Sequence, residues 1–176
     1  MRVRRAMPAD AAAIQRIHVN TWLSAYRKII PDTHLEKLAH DHRFSFWLDS
    51  LGHPDSSTFI YVAQDSTDRI VGFAAAGPSR AEHLPYEMEL YAIYVLPEQQ
   101  GTGVGLSLLD GIARELLTRG VKSMLLYVLK DNPSRRFYER LGGQLLEQRQ
   151  VELDGETFAD VIYGWQDIAP LIQGSL

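Results

Sequence analysis

Residues 90–109 read Leu90-Tyr91-Ala92-Ile93-Tyr94-Val95-Leu96-Pro97-Glu98-Gln99-Gln100-Gly101-Thr102-Gly103-Val104-Gly105-Leu106-Ser107-Leu108-Leu109. An apolar run passes through Pro97 into a turn with glycine at 101, 103 and 105, and apolar residues then recur at helical spacing. The pattern predicts a strand, a glycine-rich turn and an amphipathic helix. Glycines remove side chains where a ligand comes close, and the amides and dipole at a helix start favour an anion. Such a backbone suits a pyrophosphate. Two nucleotide loops are excluded. A Walker loop needs G-x-x-x-x-G-K-S/T, and no lysine lies in Gln99–Leu109. A G-x-G-x-x-G dinucleotide loop begun at Gly101 ends on Leu106, and one begun at Gly103 ends on Leu108.

The strand that enters this turn runs from Glu87 to Leu96. Met88, Leu90, Ala92, Tyr94 and Leu96 alternate with Glu87, Glu89, Tyr91, Ile93 and Val95, so apolar residues occupy both faces. That predicts a central strand covered on both sides. Upstream, Arg2–Ala6 suit an edge strand. Pro8 and Asp10 then open a helix carrying Ile14, Ile17, His18, Thr21, Trp22 and Tyr26. Pro31 stops it, and Asp32 or Thr33 caps a second helix through Leu35, Leu38, Phe46, Trp47 and Leu51. Phe59–Ala63 and Ile70–Ala76 read as a hairpin around Asp65-Ser66-Thr67-Asp68. Downstream, Gly120 ends the helix begun at Gly103, Lys122–Leu129 is a strand, and Asn132-Pro133 starts a short helix closed by Gly142-Gly143. Two last strands flank Asp154-Gly155, a two-residue hairpin turn. The order predicts an α/β (α+β) domain: a mixed sheet of about seven strands with helices on both faces, rather than a doubly wound parallel sheet.

The chain has 176 residues, no cysteine and a net charge of −4. One domain over residues 1–176 is expected. The missing thiol removes disulfides, thiolate zinc sites and a cysteine nucleophile. There is no basic footprint for nucleic acid and no apolar window of membrane-spanning length, so a cytoplasmic protein with neither partner is expected. An acidic balance would suit a cationic substrate weakly. His40-Asp41-His42 places two histidines at i and i+2, which face apart on a helix, so a solvated surface is expected there and no metal.

The second informative stretch is Asn132-Pro133-Ser134-Arg135-Arg136-Phe137-Tyr138-Glu139-Arg140-Leu141-Gly142. With Val95-Leu96-Pro97 and Gln100–Gly105 it resembles the GNAT superfamily of N-acetyltransferases, through its V-x-P-x-x-(Q/R)-G-x-G-x-G and N-x-x-(A/S)-x-x-F-Y-E-x-L-G motifs. Gly143 departs from that pattern, which usually has phenylalanine there; looser packing is expected. The resemblance covers nearly the whole chain and implies a GNAT-like, mostly antiparallel sheet and acetyl-CoA as co-substrate, lying in a splayed gap between the strands at 87–96 and 122–129. It implies that Ile93, Tyr94 and Val95 line the pantetheine arm, and that Gln100, Gly101, Thr102, Gly103, Val104 and Gly105 hold the pyrophosphate. Asn132 and Phe137 lie beside the arm, and Tyr138 lies near the sulfur as general acid. By the same resemblance Trp22 and Tyr26 belong to the wall of the acceptor site; their spacing fits a core aromatic pair equally. Glu89, backed by Glu87, is the expected general base, directly or through water, because a half-buried carboxylate has a raised pKa. Arg135 and Arg136 fit either a coenzyme phosphate or ordinary surface charge. The expected activity is direct acetyl transfer to a small-molecule or peptide amine in a ternary complex. The alternative is a non-catalytic acyl-CoA-binding or regulatory domain of the same fold. Homodimers are common in the family.

Overall fold

The computed structural model describes residues 1–39, 49, 51, 53 and 56–172. The expected continuation of the second helix through Phe46 and Trp47, and the His40-Asp41-His42 triplet, lie outside the described residues. The elements follow the expected order: β1 (Arg2–Arg5), α1 (Ala11–Tyr26), α2 (Asp32–Ala39), β2 (Phe59–Gln64), β3 (Ile70–Pro78), β4 (Met88–Val95), α3 (Val104–Thr118), β5 (Met124–Leu129), α4 (Arg135–Arg140), β6 (Gln144–Leu153) and β7 (Glu156–Trp165). One seven-stranded sheet has the order β1-β2-β3-β4-β5-β7-β6, with β4 and β5 parallel and the other pairs antiparallel. Among the described residues no helix is long and apolar enough to cross a membrane.

Neighbouring residues of a strand point to opposite faces, and β3 shows what covers each. Phe73 pairs with Tyr94, whose ring meets His18 of α1 at 5.4 Å between centroids. Gly72, next in the chain, lies under α3; a Cβ there would sit 3.2 Å from Leu108 and 3.3 Å from Val104. So α1 and α3 occupy opposite faces. α1 buries Ile14, Ile17, His18, Thr21 and Tyr26 on one stripe. α3 buries Leu108, Leu109, Ile112, Ala113 and Leu116. At the edge, the Asp10 carboxylate accepts from both terminal nitrogens of Arg4 (2.7 and 2.9 Å) and from the Met7 amide (2.8 Å), fastening β1 to the start of α1. Burial raises the Asp10 pKa, but these bonds and the Arg4 charge outweigh it and hold the carboxyl below its ordinary value.

The short helix α4 is held by its ends. The Asn132 side chain accepts the Ser134 amide at 2.9 Å before the first turn. After the last turn Gly142 adopts φ +80°, and the Gly142 and Gly143 amides return to the Glu139 and Tyr138 carbonyls. Such a left-handed stop favours glycine. The expected loose packing at Gly143 is not found. The Trp165 ring lies against its α-carbon, and a Cβ would fall 2.8 Å from Trp165 Cζ2 and 2.9 Å from the Tyr138 carbonyl oxygen. The Trp165 indole N–H also donates to the Leu141 carbonyl at 2.8 Å. An indole from β7 thus fills the space beside Gly143. Gly143→Ala is therefore expected to destabilise the protein by about 1–3 kcal/mol through overpacking; urea unfolding of the two proteins checks it.

Candidate functional site

A bulge shapes the site. Across β3 and β4, Ala75 faces Ala92 while Ala76 faces Leu90, which leaves Tyr91 without a partner. An extra residue bends its strand. β4 pairs with β5 only at Met88↔Met124 and Glu89↔Leu125. Past that point the facing edges of β4 and β5 have no strand partner.

The Leu96 amide donates to Val71 across β3 at 2.9 Å. Backbone groups alternate in direction along an antiparallel strand, so Leu96 and Tyr94 turn toward β3, and Val95 and Ile93 toward the gap. The Val95 carbonyl accepts the Gln100 side chain at 3.0 Å, on that side. An unpaired buried amide costs about 1–3 kcal/mol, so an open inner edge of this kind is suited to a hydrogen-bonding ligand.

At the end of β4 the glycine turn is bare. Gly101 has φ +75° and Gly103 φ +90°, and a Cβ on either would meet nothing within 4 Å. Their requirement is conformational, and the space beside them is open. Gly103 is the residue before α3; the helix start has no side-chain cap and no acidic residue in its first turn. The Thr102 hydroxyl is turned back to the Gln99 carbonyl at 2.7 Å. Gly105 packs toward Phe137, whose Cζ would lie 3.5 Å from an added Cβ. The arrangement of uncapped amides, open cradle and unpaired strand edge fits a long coenzyme with an anionic end and an amide-bearing arm.

Tyr138 is buried on α4, 5.5 Å from Phe137 between ring centroids. Burial, and then the neighbouring Tyr26 phenol, push its hydroxyl far above the ordinary tyrosine pKa, so it keeps its proton. Tyr26 comes from α1. Burial raises its pKa, a hydrogen bond from the Asn132 side chain lowers it, and the Asp160 charge raises it. Tyr138, Tyr26 and Asn132, expected in three different roles, thus gather at one place. Trp22 stacks on Tyr26 at 4.4 Å between centroids, and its indole N–H donates to the Tyr94 hydroxyl at 3.0 Å. The Tyr94 side chain is therefore committed to the α1 face. Arg135 is structural: it donates to the Tyr163 hydroxyl (3.0 Å) and the Lys130 carbonyl (2.7 Å).

The expected general base differs from its expectation. Glu89 is not half-buried but 1% exposed. Its carboxylate accepts the Arg80 backbone amide at 3.1 Å, Nε at 3.1 Å, and a closer bond from Nη2. Glu87, expected behind it on the strand, lies outside β4 and is exposed. Arg80 and Tyr127, not foreseen from the sequence, adjoin Glu89, and Arg149, paired with Asp160, lies over the same Tyr127 ring. Arg149 and Asp160 face each other across β6 and β7, a register countable from the Asp154-Gly155 turn. Arg80 stands in a loop and left no periodic signal.

Residues 78–151 match the FR47-like protein family. The chain is 36% identical over 169 residues to an uncharacterized N-acetyltransferase, YuaI, of Bacillus subtilis, covering 96% of this chain and 95% of that one. Its fold is similar to a GCN5-related N-acetyltransferase from Rhodopseudomonas palustris, with TM-score 0.72, 21% identity and 93% of each chain covered. It is also similar to the PaiA N-acetyltransferase from Thermoplasma acidophilum solved with coenzyme A, with TM-score 0.70, 16% identity, and 93% and 98% covered. If the glycine cradle holds a pyrophosphate, Gly103→Glu abolishes coenzyme A binding, since it adds a carboxylate beside the phosphates and strains φ. Calorimetric titration with coenzyme A checks this, and unchanged affinity rejects the cradle.

Proposed function

The chain belongs to the GNAT superfamily of N-acetyltransferases, and on that premise we propose that it transfers acetyl from acetyl-CoA directly to an amine within one ternary complex. The observation that carries the reading is that β4–β5 pairing stops after Glu89 and Leu125 while the helix that follows β4 starts without a side-chain cap. When bound, the coenzyme supplies an acetyl thioester: its carbonyl carbon gains a bond to the amine nitrogen, its C–S bond breaks, the amine loses one proton and the thiol leaves.

Ile93 and Val95 offer backbone groups to the amide-bearing arm, and the amides opening α3 take the pyrophosphate. Tyr138 donates its O–H to the sulfur as negative charge grows there. With ordinary values of ~10 for tyrosine and ~8.5 for a thiol, full proton transfer is uphill by about 2 kcal/mol, and burial of Tyr138 adds to that. Such a cost is small beside a chemical barrier, so the phenol can act as general acid, its main contribution being the hydrogen bond. An alkylammonium of pKa ~10.4 costs about 4.6 kcal/mol to deprotonate at pH 7. The bonds from the Arg80 amide and guanidinium occupy the Glu89 carboxylate, so Glu89 positions Arg80, and water in the gap carries the amine proton away.

Thiol release from acetyl-CoA across an amine panel tests the activity; tight coenzyme binding with no turnover by any amine rejects it. Tyr138→Phe is expected to lower kcat about 10- to 1,000-fold with coenzyme affinity nearly unchanged, and an unchanged kcat removes Tyr138 from the reaction. Glu89→Gln is expected to leave the acid limb of the kcat/KM–pH profile in place, because the limb belongs to the amine. Loss of that limb would identify Glu89 as the base.

A further inference from the structure

On the sheet face shared with Tyr26, two arginines stand over one tyrosine. The Arg149 guanidinium lies 4.3 Å from the Tyr127 ring centroid, and that of Arg80 lies 5.7 Å from the same ring and 5.1 Å from Tyr91. The register puts these groups on one face: Glu89 beside Leu125, then Tyr127 and Leu129 by alternation, Asp160 opposite Leu129, and Arg149 opposite Asp160. Leu129 packs with Tyr26, and the Asp160 charge acts on the Tyr26 phenol. The patch therefore borders the gap.

Each arginine has a buried carboxylate behind it. The Arg80 side chain is 68% exposed and Glu89 1%. Arg149 is 42% exposed and Asp160 8%, with 3.5 Å between them. The four charges cancel in sum, yet they are layered: the carboxylates lie inside and the guanidiniums outside. Glu89 occupies Nε and Nη2 of Arg80, so among the described residues Nη1 remains for another acceptor. At the rim, Glu147 is paired with His83 at 2.9 Å. A guanidinium oriented from behind by a carboxylate presents a planar donor edge suited to a second carboxylate. A cationic acceptor, which the net charge of −4 would favour, meets guanidiniums here.

We propose that Arg80 and Arg149 bind a carboxylate of the acceptor, so that the compound acetylated is an amine that also carries a carboxylate: an amino acid or a short peptide. This rests on the acetyltransferase reading. Aligning the carboxylate on the arginines leaves the amine to reach toward the gap beside Tyr26.

The test pairs each of a set of amino acids and dipeptides with its own carboxamide. Binding is measured calorimetrically on the coenzyme A-saturated protein, and thiol release from acetyl-CoA is measured in parallel. Acids are expected to bind about 10- to 100-fold more tightly than their amides. Arg149→Gln is expected to erase most of that preference, through KM rather than kcat. Arg149→Lys, which keeps charge and loses the fork, is expected to fall between, and thermal melting confirms that both variants fold. Equal binding of acids and amides, or no binding of either, overturns the arginine clamp. Amides turned over as well as acids also overturn it and leave the acetyltransferase standing. Carboxylate-dependent binding without thiol release upholds the clamp and overturns the transferase.

Discussion

Tyr91 has no partner on β3, and that single extra residue governs the molecule's working half. A regular ladder between β3 and β4 would keep β4 beside β5 along its length and satisfy every backbone group. The bulge ends the β4–β5 pairing after Glu89 and Leu125. What remains is an inner edge with backbone donors and acceptors facing a gap, an unusual state for a central strand. α3 starts after the glycine turn that follows β4, and its first turn has no side-chain cap. Tyr138 on α4 and Tyr26 on α1 come together as neighbours. The sheet gives up pairing along the line where a ligand with matching amides and an anionic end can restore it.

The sequence revealed this fold in proportion to how local each cause was. Hairpins at Asp65–Asp68 and Asp154-Gly155, the glycine stops and the helix stripes depend on nearby residues, and they were legible. The sheet's mixed character followed from their order. The bulge at Tyr91 was not legible, because alternating apolar residues on both faces hide a skipped pairing. Glu89 shows the same limit in charge: its position on β4 was correct, but its partner Arg80 comes from an irregular loop, and only the folded chain shows that the carboxylate is already taken. Gly143 shows it in packing. Read locally, a glycine in place of an aromatic meant looseness; the aromatic that fills the space is Trp165, from the last strand.

Charge in this protein has to be read by layer. The chain as a whole is acidic, and a sum over Arg80, Glu89, Arg149 and Asp160 is zero. Neither figure describes what a ligand meets. Burial of both carboxylates under both guanidiniums turns a neutral cluster into a positive surface. It also holds Arg80 and Arg149 in fixed orientations at the edge of the gap. An ion pair with one exposed partner offers little net stability, so the orientation it imposes is the more consequential property.

The contact between Trp165 and α4 sets an order of assembly. Tyr138 belongs to a helix of six residues, too short to hold its shape alone. The indole that braces its last turn arrives with β7, which also supplies the missing neighbour of β5. As the chain leaves the ribosome, the glycine turn and β4 can meet β3 early, through contacts close in sequence. Tyr138 acquires its bracing only after Trp165 has emerged. A half-made chain can thus possess the glycine turn and still lack a braced Tyr138, so the two mature at different times.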